Sequence, residues 1–380
     1  MFRSFFLAGF ECATGLNVHR QPIDQLCATR HDARAEEDYR LLRQVGIYGA
    51  RDAVRWPLVD QGDGKYDFSS VEPLLRAARR NGVEVIWDLF HYGYPRDLDI
   101  LSDKFVARYA DYVQAAAKYL RARTEGTLYI TPVNEPSFLA WAGGEAQLFR
   151  PFLRGAGWEL KVQLARAAIL GAEAVWAVDP DAVIVSVDPT CRVALPWGRE
   201  DLRQEQEHFN EHVVFQSWDL VCGRLCPELG GSRRHLGVPG INYYWTAQWE
   251  LHRAGVALDD DDPRRVPLRE IVRDVWTRYG GKLLITETSH KPERRGEWIT
   301  EVTNEALALW REGVPLQGVC LYPVLGMPEW HAPEDWTCMG LWDIQYQDGS
   351  YDRIPCEPAH LALARAAQKL EHAAPRVSAY

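Results

Sequence analysis

Features that would point to a nucleic-acid-binding or membrane protein are missing from this sequence of 380 residues. The net charge of -10 leaves no excess of basic residues to neutralise phosphates, which argues against a nucleic-acid partner. No apolar run is long enough to span a membrane, and the few apolar residues before Glu11 are too short for a signal-peptide core. These absences predict a cytoplasmic protein without a membrane partner.

Metal-binding and cofactor-binding patterns are also missing. Of the eight cysteines only Cys222 and Cys226 are close in sequence, and they lack the paired Cys-x-x-Cys or His partners of a structural zinc site. The four aspartates at 259–262 lack the spacing, central Gly and terminal Glu of a calcium loop, which favours a solvated turn. There is no glycine-rich phosphate loop and no His-Glu-x-x-His motif. We therefore expect reduced thiols, no metal and no cofactor.

Short apolar runs alternate with helix-like segments eight times, which is the pattern of parallel βα units. The strands are predicted at residues 5–12, 49–56, 83–89, 128–133, 183–187, 240–244, 283–286 and 317–322. The predicted helices include residues 32–45 with Asp32 as N-cap, 70–81 and 158–178. Long connections follow strand 4 (138–157) and strand 5 (188–239, with 204–220 helical). This pattern predicts an α/β protein, a single (β/α)8 TIM barrel over residues 1–380.

Two of the predicted strands run into a glutamate. The apolar stretch from residue 127 ends in Asn134-Glu135-Pro136, and Pro136 stops the strand because it cannot donate to a sheet ladder. Strand 7 ends in the same way at Glu287. TIM barrels hold their active sites at the carboxyl ends of the strands, so the two carboxyls are expected to converge there. Glycoside hydrolysis needs such a pair, one carboxyl to protonate the leaving oxygen and one to attack or to activate water.

Taken in order along the chain, several motifs resemble family 1 of the glycoside hydrolases, within the clan of (β/α)8 retaining glycosidases. The motifs are Arg51 with Trp56, His91 with Pro95, Asn134-Glu135-Pro136, Gly240 to Tyr244, Ile285-Thr286-Glu287 and Glu329-Trp330. Each motif is weak alone, and their order makes the set specific. Fifteen tryptophans fit the same interpretation, because an indole offers a large apolar face for a sugar ring.

The resemblance implies a retaining glycosidase of the β-glucosidase type, acting in carbohydrate metabolism on a small-molecule glycoside or oligosaccharide. It implies that Glu135 is the general acid/base and Glu287 the nucleophile. Further catalytic residues would be Arg51, Asn134 and Tyr244, and substrate-binding residues would be His91, Asn242, Tyr322, Glu329 and Trp330. The physical chemistry agrees, since a guanidinium and a phenol favour an ionised nucleophile, while apolar neighbours favour a protonated acid.

Two positions depart from the family pattern. Family members usually place a glutamine just after strand 1, where this chain has Ala-Thr-Gly-Leu-Asn at residues 13–17. The tryptophan that ends strand 8 in the family is Tyr322 here. The glutamine's grip on two sugar hydroxyls is therefore not evident in this chain.

Other classes of protein remain open from the sequence. A transglycosylase would use the same residues, because the choice depends on whether water or an acceptor reaches the glycosyl-enzyme. A sugar-binding protein without activity would be expected to have lost one carboxylate, and both are present. A metal-dependent barrel enzyme would need a ligand cluster at several strand ends, where only His91 and His290 are placed suggestively.

Overall fold

Residues 2–253, 255–347 and 350–373 are described by the computed structural model. Eight parallel strands close into a barrel: β1 (Phe6–Gly9), β2 (Gly49–Ala53), β3 (Glu84–Asp88), β4 (Tyr129–Thr131), β5 (Val183–Pro189), β6 (Val238–Asn242), β7 (Leu283–Thr288) and β8 (Leu316–Leu321). Each strand pairs with its neighbours in the chain, and β8 pairs with β1. The predicted (β/α)8 TIM barrel is confirmed.

Helices on the outside of the barrel connect the strands. They are α1 (His31–Gln44), α2 (Glu72–Asn81), α3 (Asp103–Arg121), α4 (Gly157–Trp176), α5 (Gln216–Val221), α6 (Leu268–Tyr279), α7 (Arg295–Arg311) and α8 (Glu357–Ala373). Local sequence explains their ends. Ser102 begins α3 by accepting a hydrogen bond from the Phe105 amide, and Gly82 ends α2 at a φ of 61° that glycine adopts without steric cost.

Some predicted boundaries were wrong for identifiable reasons. The first helix begins at His31, so Asp32 lies inside it and Arg30 is the N-cap residue. Strand β6 begins at Val238 and includes Pro239, which was predicted to be the last residue of the preceding connection. The helix predicted over 204–220 is divided into Arg203–Glu211, a short 3-10 turn and α5. Tertiary packing thus overrides local preference at these points.

Shorter elements decorate the connections. Two-stranded sheets pair Thr14–Leu16 with Pro22–Asp24, Arg192–Ala194 with Gln248–Glu250, Met327–Pro328 with Trp336–Thr337, and Trp342–Gln347 with Ser350–Pro355. Further helices are Gln25–Ala28, Trp56–Val59, Pro136–Gly144 and Arg233–Leu236, and 3-10 turns are Glu200–Leu202, Val213–Phe215, Pro227–Leu229, Trp245–Ala247 and Pro292–Arg294. The connections predicted to be long, after β4 and β5, carry several of these elements.

The apolar core of the protein has two parts. A cluster of buried side chains, among them Leu7, Ile86, Val185 and Leu284, fills the barrel interior. A larger apolar cluster lies between the strands and the surrounding helices. Because the interior is packed, polar groups gather at the carboxyl ends of the strands. Among the described helices none has the length and apolar character to cross a membrane.

Candidate active site

Glu135 and Glu287 both lie buried at the carboxyl ends of barrel strands. Glu287 is part of β7, and Glu135 follows β4 at the start of the helix Pro136–Gly144. The Glu135 amide donates to the Val187 carbonyl on β5 at 3.1 Å, which ties the residue to the barrel. Pro136 keeps Glu135 out of the right-handed helical region, as expected, but the residue adopts the left-handed one (φ 45°, ψ 62°). Such a conformation costs about 1–3 kcal/mol and is typical of functional sites.

The Glu287 carboxyl is held by two strong donors. Arg51 Nη1 donates to Glu287 Oε1 at 2.5 Å, and the Tyr244 hydroxyl donates to Oε2 at 2.6 Å. Burial alone would lower the pKa of Arg51, but the nearby Asp88 and Glu287 raise that pKa well above its usual value. The guanidinium is therefore charged at any ordinary pH. Both oxygens of the Glu287 carboxyl thus accept a strong hydrogen bond, one of them from a charged group.

Arg51 is the centre of a buried network. Its Nη2 donates to Asp88 Oδ2 at 2.8 Å and to Asn134 Oδ1 at 2.5 Å. Burial acts to raise the pKa of Asp88, but Arg51 and His91 outweigh it and hold that pKa below its usual value. One guanidinium thus links β2 with the ends of β3, β4 and β7. Loss of Arg51 would leave buried acids without a counter-ion.

The Glu135 carboxyl has a different environment. Its Oε2 accepts from the Tyr92 hydroxyl at 2.5 Å, and its Oε1 accepts from Asn242 Nδ2 at 2.9 Å. Thr286 orients that amide by donating to Asn242 Oδ1 at 2.7 Å. Burial and the nearby Glu287 charge raise the pKa of Glu135 to about 8 despite these donors. Glu135 is therefore protonated at neutral pH, which is the state that a general acid requires.

Asn134 and His91 connect the two carboxyls. His91 Nδ1 lies 3.0 Å from Asp88 Oδ2, so the ionised acid fixes the tautomer that carries its proton on Nδ1. His91 Nε2 then accepts from Asn134 Nδ2 at 3.0 Å. The same amide nitrogen also donates to the Tyr92 hydroxyl at 3.2 Å. Hydrogen bonds at both the oxygen and the nitrogen thus fix the orientation of the Asn134 amide.

Tyr322 supports the network from below. Its ring is buried and lies 5.3 Å under the Arg51 guanidinium, and its hydroxyl accepts from the Cys12 amide at 3.1 Å. The ring fits only because residue 9 is glycine, since a β-carbon there would lie 1.9 Å from the Tyr322 ring. The structure therefore places Tyr322 in the core beneath the site.

Trp330 and Glu329 lie further out. The Trp330 ring packs 5.9 Å from Tyr92, and Phe138 and Phe149 from the long connection after β4 pack on it. Its Nε1 is buried and has no hydrogen-bond partner among the described residues. Glu329 is exposed, and partial burial together with Asp335 raises the pKa of its carboxyl. Trp330 therefore belongs to the cluster, while Glu329 lies at its edge.

Four residues of this site were missed from the sequence: Glu11, Asp88, Tyr92 and Asp188. Asp88 ends β3 and Asp188 lies near the end of β5, so the signal that identified Glu135 and Glu287 could have found them. Glu11 comes shortly after β1 and is buried. Tyr92 follows His91 and has a φ of 72°, which no sequence pattern indicates.

Asp188 lies behind Glu135. Its Oδ1 accepts from the Ser137 amide at 3.0 Å, at the start of the helix that Glu135 precedes. Its Oδ2 is buried without a hydrogen-bond partner among the described residues. Burial raises the pKa of Asp188 to about 7, and its charge in turn contributes to the raised pKa of Glu135. Asp188 thus favours a protonated Glu135.

Two groups of side chains in the protein carry possible metal ligands. Ligand atoms of Cys12, Asp88 and His91 lie within 4.8 Å of one another. However, Asp88 already accepts from both Arg51 and His91, and burial raises the pKa of the Cys12 thiol well above its usual value. That donor set fits an ion-pair network better than a cation. In the acidic turn at 259–262, two of the four acids pair with arginines, Asp260 with Arg294 and Asp262 with Arg264.

A pH profile tests the assignment of Glu135. Replacing Tyr92 with phenylalanine removes a donor that stabilises the ionised Glu135 carboxyl, so the pKa of Glu135 is expected to rise. Because the acid must be protonated, the alkaline limb of kcat/KM should lie near pH 8 in the wild type and up to about one unit higher in Tyr92→Phe. Tyr94→Phe is the control, since Tyr94 is a buried tyrosine of the same connection. An unmoved limb in Tyr92→Phe would contradict this assignment.

Comparisons with known proteins add to this description. No protein-family model matches the sequence, and no curated protein matches it. A β-glucosidase from Thermotoga maritima in complex with galacto-hydroximolactam has a TM-score of 0.77 at 16% identity, with 96% of this chain and 98% of that chain covered. A structure described as family 1 β-glucosidase from Thermotoga maritima has a TM-score of 0.75 at 15% identity, with 95% and 96% covered. The chain is therefore similar in fold to family 1 β-glucosidases, as the motifs predicted.

Proposed function

We propose that this chain is a glycoside hydrolase, a retaining β-glycosidase that acts by double displacement. The observation that carries the proposal is the contrast between two buried glutamates at the ends of β4 and β7. Glu287 accepts from a guanidinium and a phenol, whereas burial raises the pKa of Glu135 to about 8. Two carboxyls in such different environments at the same end of the barrel are the kind of pair that glycoside hydrolysis requires.

The first displacement forms a covalent intermediate. Glu287 attacks the anomeric carbon with one carboxylate oxygen while Glu135 gives its proton to the glycosidic oxygen. The bond from the anomeric carbon to that oxygen breaks, and the aglycone leaves as a neutral alcohol. Glu135 is then ionised, and the sugar is an ester of Glu287.

The second displacement releases the sugar. Ionised Glu135 takes a proton from water, whose oxygen attacks the anomeric carbon and displaces the Glu287 carboxylate. Two inversions give net retention, and both residues return to their starting states. While the ester exists the Glu287 charge is absent, which lowers the pKa of Glu135 and suits its role as a base. Release of the sugar restores that charge and with it the raised pKa of Glu135.

Neighbouring residues have distinct roles in this proposal. Arg51 and Tyr244 orient the Glu287 carboxyl by donating to its two oxygens. Asn134, which His91 and Arg51 orient, would bind the hydroxyl beside the anomeric carbon. His91 would bind a further hydroxyl of the glycone, the sugar that is transferred.

The remaining predicted binding residues divide into two groups. Trp330 would provide a face for the glycone and a free indole N–H, with Glu329 accepting outer hydroxyls at the edge. We assign Asn242 and Tyr322 to positioning, because Asn242 holds Glu135 and Tyr322 packs under Arg51. The cytoplasmic location stays a prediction.

A trapping experiment tests the proposal. A 2-deoxy-2-fluoro β-glycoside with a good leaving group should inactivate the enzyme with one fluorosugar per chain. Fluorine slows both displacements, whereas the good leaving group speeds only the first, so the glycosyl-enzyme accumulates. Mass spectrometry of the digest should locate the sugar on the peptide with Glu287, and heat-unfolded protein is the control. NMR of the product from an unmodified substrate should show the β-anomer first. A sugar on another residue, or an α-anomer, would refute the mechanism.

A further inference from the structure

A third glutamate, Glu11, faces the same site and has no role in the mechanism above. It follows β1 and is buried, with 7% of its surface exposed. Its Oε1 accepts from the Ala13 amide at 2.9 Å and lies 3.6 Å from His91 Nε2. Its Oε2 accepts no hydrogen bond from any residue that the structure describes. Oε2 is not among the fully buried polar atoms that lack a partner, so a ligand can reach this oxygen and donate to it.

The surroundings of Glu11 place it among the reacting groups. Its charge is close enough to act on Glu287, His91 and Arg51, and it also contributes to the raised pKa values of Tyr92 and Tyr244. Residues at the ends of four other strands therefore lie near Glu11. They are Arg51 of β2, His91 and Tyr92 after β3, Tyr244 after β6, and Glu287 of β7.

The charges of these groups do not balance. Arg51 is the single guanidinium among them, and it already pairs with both Asp88 and Glu287. Glu11 adds a further acid whose nearest basic partner is His91, and His91 is itself held by Asp88. The pocket is thus negative before any ligand enters, and a ligand carboxylate or phosphate would add to that charge.

We propose that Glu11 and His91 form a glycone subsite that takes hydrogen-bond donors from a sugar without negative charge and rejects anionic sugars such as uronic acids. The Glu11 carboxylate accepts from sugar hydroxyls through Oε2, while the Ala13 amide fixes its Oε1. This inference rests on the proposed function, and it names the class of glycone. It also supplies a grip on sugar hydroxyls in the region where the family glutamine is missing from the sequence.

The test uses binding, so that it does not depend on turnover. Isothermal titration measures the affinity of a neutral glucose-configured lactam and of its glucuronic acid counterpart for the full-length wild type and for Glu11→Gln. We expect the wild type to bind the neutral lactam at least a hundredfold more tightly, and Glu11→Gln to reduce that ratio at least tenfold. Glutamine keeps an oxygen for the Ala13 amide, and Glu293→Gln, at an exposed position, is the control that leaves the ratio unchanged.

A second measurement on the wild type covers the case in which Glu11→Gln does not fold. Burial raises the pKa of Glu11 to about 7, so lowering the pH from 8 to 5.5 neutralises it, and the preference for the neutral lactam should weaken. Equal affinity for both lactams, or a ratio that neither Glu11→Gln nor pH changes, would overturn this inference alone. Failure of the wild type to bind either lactam would overturn it together with the proposed function.

Discussion

Glu287→Ala is expected to lower kcat for an aryl β-glycoside by at least about 10⁴-fold, because the variant has no group to attack the anomeric carbon. Azide or formate should restore part of the turnover. A small anion fits the space that the side chain leaves beside Arg51 and Tyr244, and both would then donate to it. With azide the product should be the α-glycosyl azide, since a single displacement inverts the anomeric carbon. Product NMR and initial rates measure both effects.

A matched control separates chemistry from folding in this experiment. Glu293→Ala changes an exposed glutamate in the turn Pro292–Arg294 that leads into α7, and its kcat should equal that of the wild type. Thermal unfolding should show that Glu287→Ala remains folded. If Glu287→Ala retained wild-type turnover, the assigned nucleophile would be wrong.

Arg51→Ala is expected to lower the free energy of unfolding at pH 7 by about 3–5 kcal/mol, because it leaves buried acids without a counter-ion. Arg51 and Asp88 are both fully buried, and Asp88 Oδ1 and Oδ2 both accept from the guanidinium. Chemical denaturation of the variant and the wild type at pH 7 measures the difference. Arg55→Ala should cost much less, since the partners of the buried Arg55 are partly exposed.

The pH dependence of this loss has a definite sign. In the wild type the pKa of Asp88 is depressed, so the pair contributes stability above the pKa of unfolded aspartate, and this stability is lost as the pH falls. Without Arg51, burial raises the pKa of Asp88, so this acid becomes neutral in the variant as the pH falls and the difference between the proteins should shrink towards pH 4. Asp88→Asn in the variant background should recover part of the stability. A loss that does not change between pH 4 and pH 7 would show that the cost is due to packing instead.

The barrel could be predicted from the sequence because each strand is a short apolar run that turn residues separate from a helix. All eight predicted strands overlap the observed ones. The boundaries were less predictable where a residue acts against its local preference. Pro239 lies within β6, where sequence rules would end a strand, and Arg30 takes the N-cap position that Asp32 suits better.

Part of the site was predictable, because an acidic residue that ends an apolar strand stands out in the sequence. Glu135 and Glu287 were found in this way, and Asp88 could have been. Tyr92 could not, because its hydroxyl reaches Glu135 through a left-handed backbone conformation that its sequence does not indicate. The roles of Asn242 and Tyr322 depended equally on three-dimensional contacts. Closure of the barrel decides which side chains from different strands lie close together, and the sequence of a single strand does not show this.

The left-handed backbone at Glu135 has a consequence for how this position would evolve. A non-glycine residue in that conformation is strained, and a buried carboxyl adds to the cost, so glycine or asparagine would suit the backbone better. Glutamate therefore occupies position 135 against the preference of the backbone, and under the proposed function the need for its proton explains why. In a lineage that no longer used this activity, position 135 would be among the first to drift.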